Sequence, residues 1–182
     1  MVKSIRLVSF ILLFFSLFAA TAHAGDTLIV HGDRFYFSVA EPSQWRGYTE
    51  DTHKYRLNAY FSLPGYNFDT SPAVMYIRVL AKSDNSVEQS LASDMRDFAL
   101  RKRSLVFSDL AVEGLSYRYA AKQYLIDNRD VDYLCYVDPG EEWPAYVIFV
   151  LSGPTGVSPG YLGDFQALVR SFQWGGEATV QR

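Results

Sequence analysis

Two stretches of this chain, residues 73–81 and 145–152, are apolar on both faces of an extended backbone, and no other feature constrains the fold as tightly. In the first, Met75, Ile77, Val79 and Ala81 alternate with Val74, Tyr76 and Leu80. In the second, Val147, Phe149 and Leu151 alternate with Tyr146, Ile148 and Val150. A strand with one wet face alternates apolar with polar residues, so a strand apolar on both must sit in a sheet covered on both sides. The sequence also supplies two covers. Val87, Leu91, Met95 and Phe98 recur at spacings of four, four and three, which makes one apolar helical stripe. Asn85 and Glu88 are spaced as a capping box at its start, and Arg101-Lys102-Arg103 place cations at its end. Asp94, at the margin of the stripe, is expected to pair with a neighbouring arginine. Tyr161, Phe165, Leu168 and Phe172 form a second stripe over 159–172.

The remaining elements follow from turn chemistry. Residues 27–31, Gly32-Asp33 and 34–40 read as a hairpin with a type II′ turn. The polar stretch 41–53 reads as a loop, 55–62 as a strand and 63–72 as a second loop. Strands 116–126, 131–137 and 145–152, joined by short Asp127–Asp130 and Asp138-Pro139-Gly140 connections, form an antiparallel meander. The expectation is an α+β fold. It is a three-layer α/β/α sandwich of two main helices and about seven mostly antiparallel strands.

The first 24 residues read as a cleavable export signal. Lys3 and Arg6 precede an apolar run from Leu7 to Ala20, and Ala22-His23-Ala24 provides the small residues required before a cut between Ala24 and Gly25. That run is shorter than the roughly 20 apolar residues of a membrane span. Residues 25–174 then form one domain, with 175–182 a loose tail, in a periplasmic or secreted protein that has no membrane span after cleavage. Without Lys3 and Arg6 the 17 basic residues become 15 against 20 acidic, a net charge of −5. An acidic chain lacking a dense basic stripe is a poor nucleic-acid binder. Cys135, the lone cysteine, cannot close an internal disulfide and reads as a small buried hydrophobe.

One string matches a catalytic pattern. Gly156-Val157-Ser158-Pro159-Gly160 fits G-x-S-x-G after a buried strand and before a helix. Pro159 has no N–H to offer an oxyanion hole, and His31 and His53 both precede the serine rather than follow it. Ser158 as helix N-cap with Pro159 at N1 accounts for the same residues. Asp127, Asp130 and Asp132 resemble part of a calcium loop without its glycine and distal glutamate, while Glu141 and Glu142 belong to the other end of the sheet. No zinc spacing, P-loop or dinucleotide fingerprint is present, so no metal, cofactor or catalytic residue is expected. Among the aromatics, Trp45 and Trp143 fall in loops beside Pro and charged residues, and Tyr66 lies in loop 63–72. These three are the candidate partner or ligand contacts.

A strand leading into Pro42-Ser43-Gln44-Trp45, Ser71-Pro72 ahead of an apolar strand, the single helix, the meander and a closing helix ending Ser171-Phe172-Gln173-Trp174 together resemble the PsbP-like fold. The similarity spans nearly all of the chain after the leader. That family includes an extrinsic photosystem II subunit, a Ran-GTPase regulator and bacterial envelope proteins such as DcrB. The resemblance implies a non-catalytic protein that binds or stabilises another envelope protein, and it carries over no functional residues. The alternatives are a binding domain for a small molecule or envelope component, using loops 41–53, 63–72 and 138–144, and, last, a hydrolase centred on Ser158.

Overall fold

The computed structural model describes residues 25–32, 35–101 and 105–176. The leader with Ala24, Asp33 of the hairpin turn, Lys102 and Arg103 of the basic run, and tail residues 177–182 lie outside the described residues. Among the described residues, ten strands and two α-helices run in the order β1 (Thr27–His31), β2 (Tyr36–Ala40), β3 (Arg46–Tyr48), β4 (Ala59–Ser62), β5 (Val74–Ala81), α1 (Val87–Arg101), β6 (Leu105–Asp109), β7 (Arg118–Ile126), β8 (Asp130–Asp138), β9 (Ala145–Pro154), α2 (Leu162–Arg170) and β10 (Gln173–Gly176). Seven strands build one antiparallel sheet in the order β3-β4-β5-β9-β8-β7-β6, and β1-β2-β10 form a smaller sheet. The expected α+β architecture is therefore present. Its seven-stranded sheet takes in β3 and β6, while the β1–β2 hairpin belongs to the cover.

β5 pairs along its full length with β9, from Val74 opposite Ser152 to Ala81 opposite Ala145, at the middle of the sheet. Their two apolar faces feed two separate cores. On one face Val87 and Leu91 of α1 are buried against Tyr124, Leu134, Tyr136, Tyr146, Ile148 and Val150, with Met95 and Phe98 alongside. On the other, Met75, Ile77, Cys135, Val147, Phe149 and Leu151 meet Val30, Phe37 and Val39 of the small sheet and Phe165, Leu168 and Phe172 from the α2 region.

Local chemistry explains where the elements differ from expectation. The capping box of α1 lies one residue further on. The Ser86 N–H donates to Gln89 Oε1 (2.8 Å) and the Gln89 N–H to Ser86 Oγ (3.3 Å). Glu88 is instead drawn to Arg118, 2.8 Å away on β7. Asp94 accepts a hydrogen bond from the Tyr136 hydroxyl, where an arginine was expected. The second helix begins as a 3-10 turn, Ser158–Tyr161, in which Ser158 makes no capping bond. Strand β3 is three residues long and centres on Gly47, which shows no periodicity in sequence. A side chain at Gly47 would come within 2.8 Å of Phe61 and 3.0 Å of Leu28, so glycine is what lets β1 lie across this edge. β10 takes in Gly175 and Gly176, expected in the tail, because Trp174 packs against Phe37 and Phe172.

Candidate functional site

A cleft of about 700 Å³ opens at one end of the sheet, between the tip of the β1–β2 hairpin and the segment linking β3 to β4. That volume falls in the range of small-molecule pockets. On the hairpin side, strand alternation buries Val30 and turns Ile29 and His31 outward, and Gly32 and Phe35 complete the wall. Ile29 is 53% exposed, an uncommon state for an isoleucine in a strand.

The opposite wall is a 3-10 turn, Thr52–Tyr55, bracketed by two non-glycine residues in the left-handed region, Asp51 (φ 55°) and Arg56 (φ 58°). Such conformations persist only where surrounding contacts hold them. Hydrogen bonds within the segment hold them. The Arg56 N–H donates to His53 O (3.0 Å), the Leu57 N–H to Thr52 O (3.2 Å), and the Thr52 hydroxyl to Thr49 O (3.3 Å). Tyr55 points the other way, packing on Phe68 (ring centroids 4.3 Å) and donating to Asp69 Oδ2 (2.6 Å). Anchoring Tyr55 on that side leaves Thr52 and His53 lining the cleft. Asn58 closes the wall. Its N–H donates to Ile77 O (2.9 Å) and its Oδ1 accepts from the Val79 N–H (2.8 Å), so it is clamped to β5 by backbone and side chain together.

The cleft thus brings His31 and His53 to one site, with Thr49, Thr52 and Asn58 as further polar groups and Ile29, Phe35 and Leu57 as apolar ones. Among the described residues, no Asp, Glu, Lys or Arg lines it. Among the described residues, no group of three or more His, Cys, Asp and Glu side chains is placed to hold a metal ion.

The residues singled out from sequence are dispersed. Trp45 is 4% exposed. Its Nε1 donates to Asp164 Oδ2 (3.1 Å) and its ring meets Tyr161 edge-on at 5.1 Å, so it ties the β2–β3 loop to α2. With Gly25, Asp26, Glu41 and Arg46 it lines a smaller hollow of about 290 Å³. Tyr66 is 47% exposed in the β4–β5 loop, at the far end of the sheet from the cleft. Trp143 is half-buried and joins the cleft indirectly. It packs on Trp174 (5.3 Å), which stacks on Phe35 (5.5 Å) in the cleft wall. His31 and His53 lie 22 positions apart in sequence and carry no ligand spacing, so nothing in the string announces that they meet.

The other chemical candidates resolve simply. Ser158 is fully buried with no hydrogen-bond partner for its hydroxyl, and it follows the end of β9 remote from the two histidines. Asp127 (φ 50°) and Asn128 (φ 55°) are the two left-handed residues of the β7–β8 turn, which the Arg129 N–H closes onto Ile126 O at 3.0 Å. Cys135 is fully buried, and burial pushes its thiol up to about 12, so it stays protonated and unreactive.

Among the described residues no helix is long and apolar enough to cross a membrane. No family model matches the chain, and no curated protein matches it. Among solved structures, the chain is similar to the solution structure of cyanobacterial PsbP (CyanoP) from Synechocystis sp. PCC 6803. The likeness is distant and partial, with 13% identity over 75% of this chain and 85% of that one and a TM-score of 0.46.

Proposed function

We propose that this chain is an exported, non-catalytic accessory protein of the cell envelope, and that it engages its partner through the cleft between the β1–β2 hairpin and segment 49–58. The cleft itself carries this reading. It is concave, it joins polar and apolar groups from two remote segments, and one wall is a backbone held in left-handed conformations. The arrangement supports binding rather than turnover. Among the described residues the cleft lining holds no carboxylate or thiol beside the histidines, and Ser158 is buried at the other end.

A photo-crosslinking residue at His53, compared with one at Gln89 on the exposed side of α1, tests the proposal. A discrete adduct in the envelope fraction from the first position only, competed away by unlabelled protein, is the expected result. Identical adducts from both positions, or none from His53, would contradict it.

The volume and mixed lining of the cleft also favour a second reading, in which its occupant is a small molecule. Trp143 would then act from the side, through the Trp174–Phe35 stack.

A further inference from the structure

The outer edge of β1 is half of a β-ladder, and we infer that the cleft takes its partner as an extended segment that adds a strand there. This rests on the reading of the cleft as the partner's site. In an antiparallel pair, residues alternate between those bonded to the neighbouring strand and those whose N–H and C=O point away from it. Two bonds fix the phase of the β1–β2 pair. The Gly32 N–H donates to Phe35 O (2.9 Å) at the turn, and the Glu41 N–H donates to Asp26 O (2.9 Å) at the open end. Counting between them, Leu28 and Val30 bond to β2, whereas Thr27, Ile29 and His31 turn their N–H and C=O outward. β2 gives the same phase from its other side, since the Ala40 N–H, opposite Thr27, donates away from β1 to Ser171 Oγ (2.9 Å). Among the described residues β1 has β2 as its one strand neighbour, so the outward groups stand in an open row.

That row is unguarded. Edge strands are ordinarily shortened, bulged or charged, which discourages pairing. β3 is three residues long, β10 breaks register between Trp174 and Gly176, and β6 ends on Asp109, paired with Lys122. β1 is five residues long with no proline, lysine, arginine or carboxylate, and its central Ile29 is exposed. The cleft opens against this edge. Ile29, His31, Gly32 and Phe35 line it, and among the described residues none of β2 or β10 does. A bare row of backbone donors and acceptors is matched by another backbone strand. A free segment enters alone, whereas the β1 of a second copy lies beside its own wall 49–58 and would bring the two walls together. On the outer face Ile29 becomes the cross-strand neighbour of a β-branched or aromatic residue of the segment.

Random linear peptides displayed on phage and selected on the purified protein are the probe, and amide hydrogen exchange is the readout. In the free protein the Thr27, Ile29 and His31 amides should exchange fast and those of Leu28 and Val30 slowly. A selected peptide should slow the outward three. Methylating its amides one at a time, which needs no variant of the protein, should abolish binding at alternate positions. Ile29→Pro removes an outward N–H and leaves the ladder to β2, and it should weaken the peptide roughly tenfold or more, with Ile29→Val within about threefold of the parent. Peptides that bind the cleft while the outward amides stay fast, or that tolerate methylation at every position, overturn strand addition and leave the cleft a partner site. Outward amides already slow in the free protein, or a dimer that Ile29→Pro dissociates, assign the edge to another occupant and overturn it too. No peptide bound at the cleft overturns the partner-site reading as well.

Discussion

The two faces of the central sheet are closed in opposite ways. Under α1 the face is rich in tyrosine, and one continuous fifteen-residue helix covers it. Each buried phenol must be accommodated. Tyr136 donates to Asp94 and Tyr146 to Asn85 O, while the Tyr124 hydroxyl has no partner. Burial pushes the Tyr124 and Tyr136 phenols well above their ordinary range, with the Asp94 carboxylate adding to the effect. The opposite face presents mostly Met, Ile, Leu, Val, Phe and Cys side chains, with the buried phenol of Tyr133 among them, and short pieces from distant parts of the chain cover it: the small sheet, α2 and segment 110–117. Hollows of about 310 and 210 Å³ flank α1. The larger cleft, of about 700 Å³, lies where the small sheet meets segment 49–58. Loops on a rigid scaffold are where binding residues concentrate, and the proposed contact site lies on the patchwork face.

The contrast can be broken at several strengths. Phe149→Ala, on the patchwork face, should cost about 4 kcal/mol and Leu91→Ala, under α1, about 3 kcal/mol, measured by urea unfolding. If Leu91→Ala proved much the costlier, the α1 face would be the principal core. Next in size, Tyr136→Phe strands Asp94 and should cost about 1–2 kcal/mol. Tyr124→Phe removes a hydroxyl that has no partner and should be neutral or stabilising by up to about 1 kcal/mol. Equal losses in the two would mean that the phenols under α1 are not differentiated as described.

The smallest effect is one of pH. Arg118, and after it Ser86, hold the Glu88 carboxyl down from 4.5 to about 2. Below pH 4.5 the unfolded chain takes up a proton that the folded one refuses. This contribution is therefore complete above that pH and fades as pH falls towards 2. Glu88 is about half exposed, which limits the contribution to roughly 0.5 kcal/mol. Acid unfolding of Glu88→Gln should run parallel to the parent above pH 5 and converge with it near pH 2. Unchanged spacing between the two curves throughout would contradict the ion pair.

Sequence periodicity was sufficient for the elements that bury a long regular face. Val87, Leu91, Met95 and Phe98 keep helical spacing over about three turns, and β5 and β9 declare two buried faces. It was insufficient where a partner distant in sequence decides the structure. Asn85–Glu88 and Ser86–Gln89 both satisfy the capping pattern, and Arg118 selects the second by engaging Glu88. β3 exists because Gly47 admits Leu28 and Phe61. β6 is short, and Phe107 secures it by meeting Tyr124 edge-on at 4.9 Å. Trp45 has the setting of a surface contact, but a bond to Asp164, 119 positions away, draws it inward. The cleft combines residues from both sides of the small sheet's packing on β3, a relation that only the folded chain contains.

The proposed binding at the cleft is separable from the packing that holds the sheet together. The direct measurement is crosslinking yield and unfolding free energy on the same two variants, His31→Ala/His53→Ala and Leu91→Ala, at a temperature where both are folded. The account predicts that the histidine pair loses the adduct of its cleft crosslinker, placed at Thr49, with stability kept, and that Leu91→Ala loses stability with the adduct kept. Loss of the adduct in proportion to stability in both variants would contradict it.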